Sequence, residues 1–287
     1  MQVRAKTARE ENFPVGSLLI KKSLRPIVAA YYQFARRCDD IADAPTLTSA
    51  EKLEALHKIE DIFLGEDKNY QGKDYAFAQK LRQIFIRENL AYSLATDLLA
   101  AFRQDALGFD YKTWGQLVEY CRYSAAPVGR FMLALHDENP STYQPAAAIC
   151  VALQIINHLQ DLRYDATVQN RIYLPEELLR KYGVKSQELK GKKSSPALKA
   201  LIRDCGERIR GLLQDGAVLP QIIRNFGLRA EVCVILSLTN IMLKKIIKGD
   251  VLCKQIRLNA WDWIRACCRG TARAIFTRRK TLPYGRL

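Results

Sequence analysis

Two stretches place acids and amides on helix faces that should be apolar. In YYQFARRCDDIAD, residues 31–43, Tyr32, Arg36, Asp39, Asp40 and Asp43 fall at i, i+4, i+7, i+8 and i+11. That spacing puts them on one helix face over three turns. Like charges so arranged repel by about a few tenths of a kcal/mol per pair, so a compensating cation is required. Arg36 supplies part of it, and a divalent metal would supply more. In QIINHLQDLRYD, residues 154–165, Gln154, Asn157, Asp161 and Asp165 fall at i, i+3, i+7 and i+11, behind the apolar PAAAICVAL. A buried helix carrying such a stripe needs a polar cavity to face. Opposed across a cavity, the two stripes would converge five carboxylates. Hard oxygen donors of this kind suit Mg²⁺, which keeps several waters and pairs with substrate phosphate.

A third segment, Tyr120 to Arg130 (YCRYSAAPVGR), sets small residues and Pro127 inside a helical run. Proline there removes a hydrogen bond and bends the chain. With Gly129 behind it, the break would let a long ligand approach the backbone.

The elements that must hold these residues are helical. Apolar positions recur at 3.6-residue spacing, and alternating strand patterns bounded by hairpin turns are absent. The periodicity predicts helices at about 17–43, 49–64, 74–88, 91–107, 113–136, 145–166, 196–214, 219–247 and 251–277. Without a low-complexity linker or short repeat, the expectation is one all-α domain over residues 1–287.

At 287 residues, with 48% hydrophobic and 26% charged residues, the chain has an ordinary globular composition and length for a large core. The apolar runs near 145–156 and 232–243 are shorter than the about 20 residues of a membrane span. The N-terminal MQVRAKTAREEN lacks an apolar signal region, so a cytoplasmic location is expected. The eight cysteines form no CxxC pair and read as reduced core thiols. His57, His136 and His158 are too scattered for a zinc site.

The net charge is +15, and Lys244–Leu287 carries +10 of it, twelve Lys/Arg against two Asp. Residues 251–287 therefore read as a basic C-terminal helix and tail with an anionic partner. Leu252, Ile256, Trp263 and Cys267 are expected near one face, with Lys254, Arg257, Arg265 and Arg269 elsewhere. A basic helix of this kind, with tryptophan, suits an anionic membrane surface. No motif supports nucleic acid binding.

The three segments together resemble the squalene/phytoene synthase family of head-to-head isoprenoid synthases. The resemblance rests on Asp39-Asp40-Ile41-Ala42-Asp43, the Tyr120–Gly129 segment, and Gln154-x-x-Asn157-x-x-x-Asp161-x-x-x-Asp165 followed by Arg171-x-Tyr173-x-Pro175, and covers residues 10 to 250. Asn12-Phe13-Pro14-Val15 and Pro127-Val128-Gly129-Arg130 resemble the hydroxysqualene branch of that family. Two positions depart from the wider pattern: Tyr164 stands where a Glu often precedes the last Asp, and Ala42 where some members carry Glu. Fewer carboxylates imply fewer metals, or a site tuned to half of a two-step reaction.

The resemblance implies an isoprenoid synthase fold, many helices around a central apolar cavity, acting on prenyl diphosphates. It implies Mg²⁺ held by Asp39, Asp40, Asp43, Asn157, Asp161 and Asp165. It also implies substrate contacts from Ser17, Tyr32, Arg36, Val128, Gly129, Gln154, Asn157, Arg171 and Tyr173, and a role for Tyr120 at the reacting centre. The hydroxysqualene branch takes presqualene diphosphate, releases diphosphate and lets water capture the rearranged cation, so no NADPH is expected. Two alternatives stand beside it: condensation of farnesyl diphosphate to presqualene diphosphate, squalene or phytoene, and a non-catalytic assembly relative. Peripheral contact with the inner membrane face and contact with other enzymes of squalene formation complete the expectations.

Overall fold

The computed structural model describes residues 20–67, 70 and 72–278. Ser17 and the Asn12–Val15 motif lie outside the described residues. Among those described are eleven α-helices longer than one turn and no strand. They are α1 (Arg25–Ala42), α2 (Ser49–Leu64), α3 (Ala76–Arg87), α4 (Ser93–Leu107), α5 (Trp114–Ser124), α6 (Ala126–Leu135), α7 (Tyr143–Gln160), α8 (Glu176–Tyr182), α9 (Pro196–Asp215), α10 (Phe226–Lys248) and α11 (Ala260–Phe276).

Local chemistry sets many of the boundaries. Thr48 and Glu51 form a reciprocal cap at the start of α2, and Gly65 closes it in the left-handed region at φ 82°. Asn225 caps α10 by accepting from the Leu228 amide, and the buried Glu138 carboxylate accepts from the Arg224 and Asn225 amides. That pairing interrupts the continuous 219–247 helix expected from periodicity, leaving one turn at Leu219–Ile222 and a fresh start at Phe226. The first helix starts at Arg25 rather than 17, with Pro26 in its first turn, where a missing N–H costs nothing.

Two apolar clusters build the core. One gathers α1–α4 around Phe34, Phe63, Phe85 and Phe131; the other gathers α5, α7, α9 and α10 around Ile155, Leu201 and Met242. α6 serves both, since Phe131 joins the first and Leu133 the second. Tyr31 of α1 stacks on Phe131 at 3.9 Å between centroids and donates to the Leu94 carbonyl at 2.5 Å. α7 packs against α5, α6, α9 and α10. A cavity of about 570 Å³ lies between the clusters, walled by α1, α4–α7 and α10.

The C-terminal reading needs correction. The last helix begins at Ala260, not 251. Asp250 accepts hydrogen bonds from the Leu252 and Cys253 amides, a side-chain turn that competes with helix. Leu252 and Ile256 lie outside the helix and are buried in the core, the latter's carbonyl held by Gln160 at 2.8 Å. α10, 23 residues long, is apolar enough to cross a bilayer by length, contrary to the short run expected; most of it is buried inside the protein, Arg229 and Glu231 included. Five cysteines are wholly or partly sequestered, whereas Cys253, Cys267 and Cys268 are exposed, so the core-thiol reading fails for these three.

Candidate functional site

α1 and α7 run along the cavity with the same polarity. Each contributes apolar side chains from its first turns, Val28 and Tyr31 on α1, Ala146 and Ile149 on α7. Each ends in acid: Asp39 and Asp43 at the end of α1, Asp161 as the C-cap of α7. From Val28 to Asp43, and again from Ala146 to Asp161, the wall extends about 22 Å at about 1.5 Å per residue. Helix C-termini carry negative partial charge and favour cations. Both helices do the opposite, so this end of the cavity concentrates negative potential that must be met from elsewhere.

Arginine meets part of it. Arg36 bridges Asp39 and Asp40, each at 2.8 Å. Arg171 reaches back to Asp43 at 2.5 Å and to the Ala42 carbonyl at 3.0 Å. It is aimed there by a break in the second stripe. α7 stops at Gln160, a short turn follows, and a π-helical turn over Asp165–Gln169 ends at Asn170 in the left-handed region at φ 51°. The continuous 145–166 helix expected from spacing is thus corrected. π-turns of this kind re-aim side chains at functional sites. Gln169 donates to Asp43, and Gln255 donates to Asp161 at 2.5 Å.

Neutralisation remains incomplete. Burial and the Asp43 charge push Asp39 up to about 7 against the opposing pull of Arg36, although its side chain is 36% open to the cavity. Four carboxylates and Asn157 therefore offer a hard donor set with surplus negative charge, which fits a divalent cation. As they stand, Asp39 meets Arg36, Asp43 meets Arg171 and Gln169, Asp161 accepts from Gln255, and Asp165 lies 4.0 Å from His158. Among the described residues no group of three His, Cys, Asp or Glu converges enough to hold a metal.

Beside the acids lies a cluster that the sequence did not reveal. Asp105 of α4, buried, accepts from the Tyr120 hydroxyl at 2.8 Å and the Tyr173 hydroxyl at 2.9 Å. Burial raises it to about 6 against the lowering effects of Arg171 and the two phenols. Burial also keeps Tyr120 and Tyr173 well above the ordinary phenol range, so both act as neutral donors. His158 stacks on Tyr173, and burial lowers its imidazole to about 3. Tyr111 packs against Tyr120 and Tyr173, closing the cluster.

Most of the expected residues line this cavity. Tyr32, Arg36, Asp39 and Asp43 come from α1 and its end; Tyr120, Val128 and Gly129 from α5 and α6; Gln154, Asn157, Asp161 and Asp165 from α7 and beyond; Arg171 and Tyr173 follow. Asp40 does not: its side chain is 42% exposed and turned to Arg36, so four of the five expected carboxylates line the wall, with Asp105 and Glu231 besides. The 113–136 helix is two, parted at Ala125, with Pro127 in the first turn of α6 rather than kinking a continuous helix. Gly129 lines the cavity and also brings α6 close to α7, since a Cβ there would lie 2.6 Å from Cys150 Sγ. Asp105 carried one legible signal, an acid at i+3 from Phe102 on the buried face of α4. His158 carried none beyond standing in the apolar run of α7.

An all-α barrel of helices around a cavity that is acidic at one end and hydrocarbon-lined at the other defines an isoprenoid synthase fold. Residues 6–262 match the model of the squalene/phytoene synthase family, and the chain belongs to that family. It is 39% identical over 261 residues to a hydroxysqualene synthase of Rhodopseudomonas palustris, covering 91% of this chain and 88% of the relative. It is 38% identical over 251 residues to one of Sinorhizobium fredii, covering 88% and 84%. Among solved structures, squalene synthase HpnC from Alicyclobacillus acidocaldarius superposes with a TM-score of 0.70 at 27% identity, covering 81% of this chain and 86% of that one.

Proposed function

We propose that the chain is a Mg²⁺-dependent hydroxysqualene synthase that converts presqualene diphosphate to hydroxysqualene and diphosphate. The observation that carries the reading is the polarity of the cavity, whose wall of about 22 Å has acids and arginines at one end and apolar side chains leading away from them. That shape fits a molecule with an anionic head and a long hydrocarbon body. The identity to hydroxysqualene synthases over about nine tenths of the chain supports this branch over the condensing one.

Asp39, Asp43, Asn157, Asp161 and Asp165 would hold the metal. Bound there, Mg²⁺ supplies Lewis-acid neutralisation of the charge that develops on the leaving diphosphate. Arg36 and Arg171 carry planar donor forks suited to phosphate oxygens. The C–O bond breaks and its electron pair leaves with diphosphate. Phe131, Ile149 and Leu153 line the apolar wall and exclude bulk water while the carbocation rearranges. The Tyr120 ring, fixed by its bond to Asp105, offers a π-face to positive charge. Water then forms the new C–O bond and gives up a proton, so the step balances without a hydride donor.

The test uses purified protein with Mg²⁺ and no NADPH, given presqualene diphosphate or farnesyl diphosphate, with mass spectrometry of the extract. A C30 alcohol from presqualene diphosphate alone is expected. A C30 diphosphate from farnesyl diphosphate would move the chain to the condensing branch. No product from either would overturn the enzymatic reading.

A further inference from the structure

α11 has two faces of opposite purpose. Asp262, Ala266, Gly270 and Ala274 are buried against α10. The fit is close: a Cβ on Gly270 would lie 2.6 Å from the Val234 backbone. The opposite side should then be polar. Instead Trp261, Ile264, Cys268 and Ile275 fall at i, i+3, i+7 and i+14, a stripe facing away from the protein. Trp261 is 72% exposed, Ile264 51% and Ile275 60%, and Phe276 beside them is 82% exposed. Single exposed apolar residues are ordinary. Here four of the thirteen large exposed hydrophobics among the described residues stand on one helix. Arg265, Arg269 and Arg273, all exposed, follow one another along its flank at four-residue spacing.

We propose that this outward face of α11 docks on an anionic lipid bilayer, with Trp261, Ile264, Ile275 and Phe276 entering the interface and Arg265, Arg269 and Arg273 meeting lipid phosphates. Two features choose a membrane over a second protein copy. The apolar stripe is flanked by cations without interspersed acid, since the helix's lone carboxylate, Asp262, is turned inward to Lys245. A basic flank beside an apolar stripe with tryptophan suits an anionic interface and would repel its own copy. The placement also serves a lipid substrate. α10 separates α11 from the cavity, giving Ala230, Cys233 and Val234 to α11 and Leu228, Val232 and Ile235 to the cavity wall. The bilayer surface would lie about two helix diameters, roughly 20 Å, from the hydrocarbon-lined end. The face differs from the one expected from sequence: Leu252 and Ile256 are core residues, and Trp263 is half-buried against Val234 and Leu238.

The full chain is floated with vesicles of phosphatidylglycerol and phosphatidylcholine, or of phosphatidylcholine alone, while tryptophan emission is followed. Flotation with the anionic vesicles and a blue shift are expected. Arg265→Gln, Arg269→Gln and Arg273→Gln together should weaken binding on the order of a hundredfold, at roughly fivefold per cation. Trp261→Glu with Ile264→Glu should abolish flotation while circular dichroism and turnover of detergent-dispersed substrate stay unchanged. Phe276→Ser, in the last turn, is a second variant that leaves the packed face alone and should weaken flotation. The proposal fails if the wild type does not float with anionic vesicles, or if all the variants float as it does. It fails equally if light scattering shows a dimer that Trp261→Glu and Ile264→Glu dissociate, since the face would then be a self-interface.

Discussion

The imidazole of His158 lies flat on the phenol of Tyr173, ring centroids 3.7 Å apart and planes within 19°, and its buried Nε2 has no hydrogen-bond partner among the described residues. A ring so placed is kept neutral, and burial lowers its pKa from 6.5 to about 3. The consequence for stability has a definite sign. Below pH 6.5 the unfolded chain takes up a proton that the folded chain refuses, so stability falls with pH until about pH 3. At pH 5 the loss is about 2 kcal/mol relative to pH 8. His158→Phe, which keeps a ring on Tyr173, removes this loss. By denaturant unfolding, the variant's stability relative to wild type should be about 2 kcal/mol higher at pH 5 than at pH 8; an equal difference at both pH values would show that His158 titrates freely.

Asp105 works in the opposite direction. Its pKa rises from 3.8 to about 6, so the folded chain holds a proton that the unfolded chain has released. Stability therefore declines as pH climbs from about 4 to about 6, by up to about 3 kcal/mol for so buried a group. Asp105→Asn removes that decline. It also offers one acceptor where two phenols donate, so Tyr120 or Tyr173 loses its anchor. Turnover should fall and the product mixture broaden at unchanged KM, because Tyr120 is positioned rather than bound to the diphosphate. Tyr120→Phe should reproduce the product change. Normal products from both variants would remove the cluster from the reaction.

Both residues mark where sequence reasoning stopped. The stripes from Tyr32 to Asp43 and from Gln154 to Asp165 were legible because acids on an otherwise apolar helix contradict local burial, and a chain departs from burial rules at its functional site. Asp105 obtains its meaning from Tyr120 and Tyr173, 15 and 68 residues away in sequence, and no local pattern encodes that meeting. Helix limits failed where side chains competed with periodicity: Asp250 turning the chain before α11, Glu138 holding the start of α10. The Asn259–Asp262 capping box that begins α11 was visible in the sequence and would have placed that boundary correctly.

Asp39 and Asp40 are adjacent in sequence and differ in duty. Asp39 lines the cavity, whereas Asp40 is exposed and held by Arg36. Removing a cavity carboxylate should cost more than roughly a hundredfold in turnover, as loss of a principal electrostatic group does. Asp39→Asn and Asp161→Asn should both reach that level with the fold intact. Asp40→Asn should stay within roughly tenfold of wild type. Equal losses at positions 39 and 40 would place both carboxylates on the metal.

The same aspartate links activity to stability. Burial and Asp43 raise Asp39 to about 7, so the folded chain binds a proton that the unfolded chain lost near pH 4. Stability contributed by this site thus diminishes as pH rises from about 4 to about 7, and the ionised form is a burden above that. Asp39→Asn should stabilise the fold at pH 8 in metal-free buffer, by about 1 kcal/mol once water on the open side of the carboxylate is allowed for, and so raise the thermal midpoint. At about pH 2 the gain should vanish, because the wild-type group is then protonated in both states. Added Mg²⁺ should stabilise the wild type and leave Asp39→Asn unchanged, bringing the two midpoints together. A variant that is less stable at pH 8, or that gains as much from Mg²⁺ as the wild type does, would show that Arg36 alone neutralises this carboxylate.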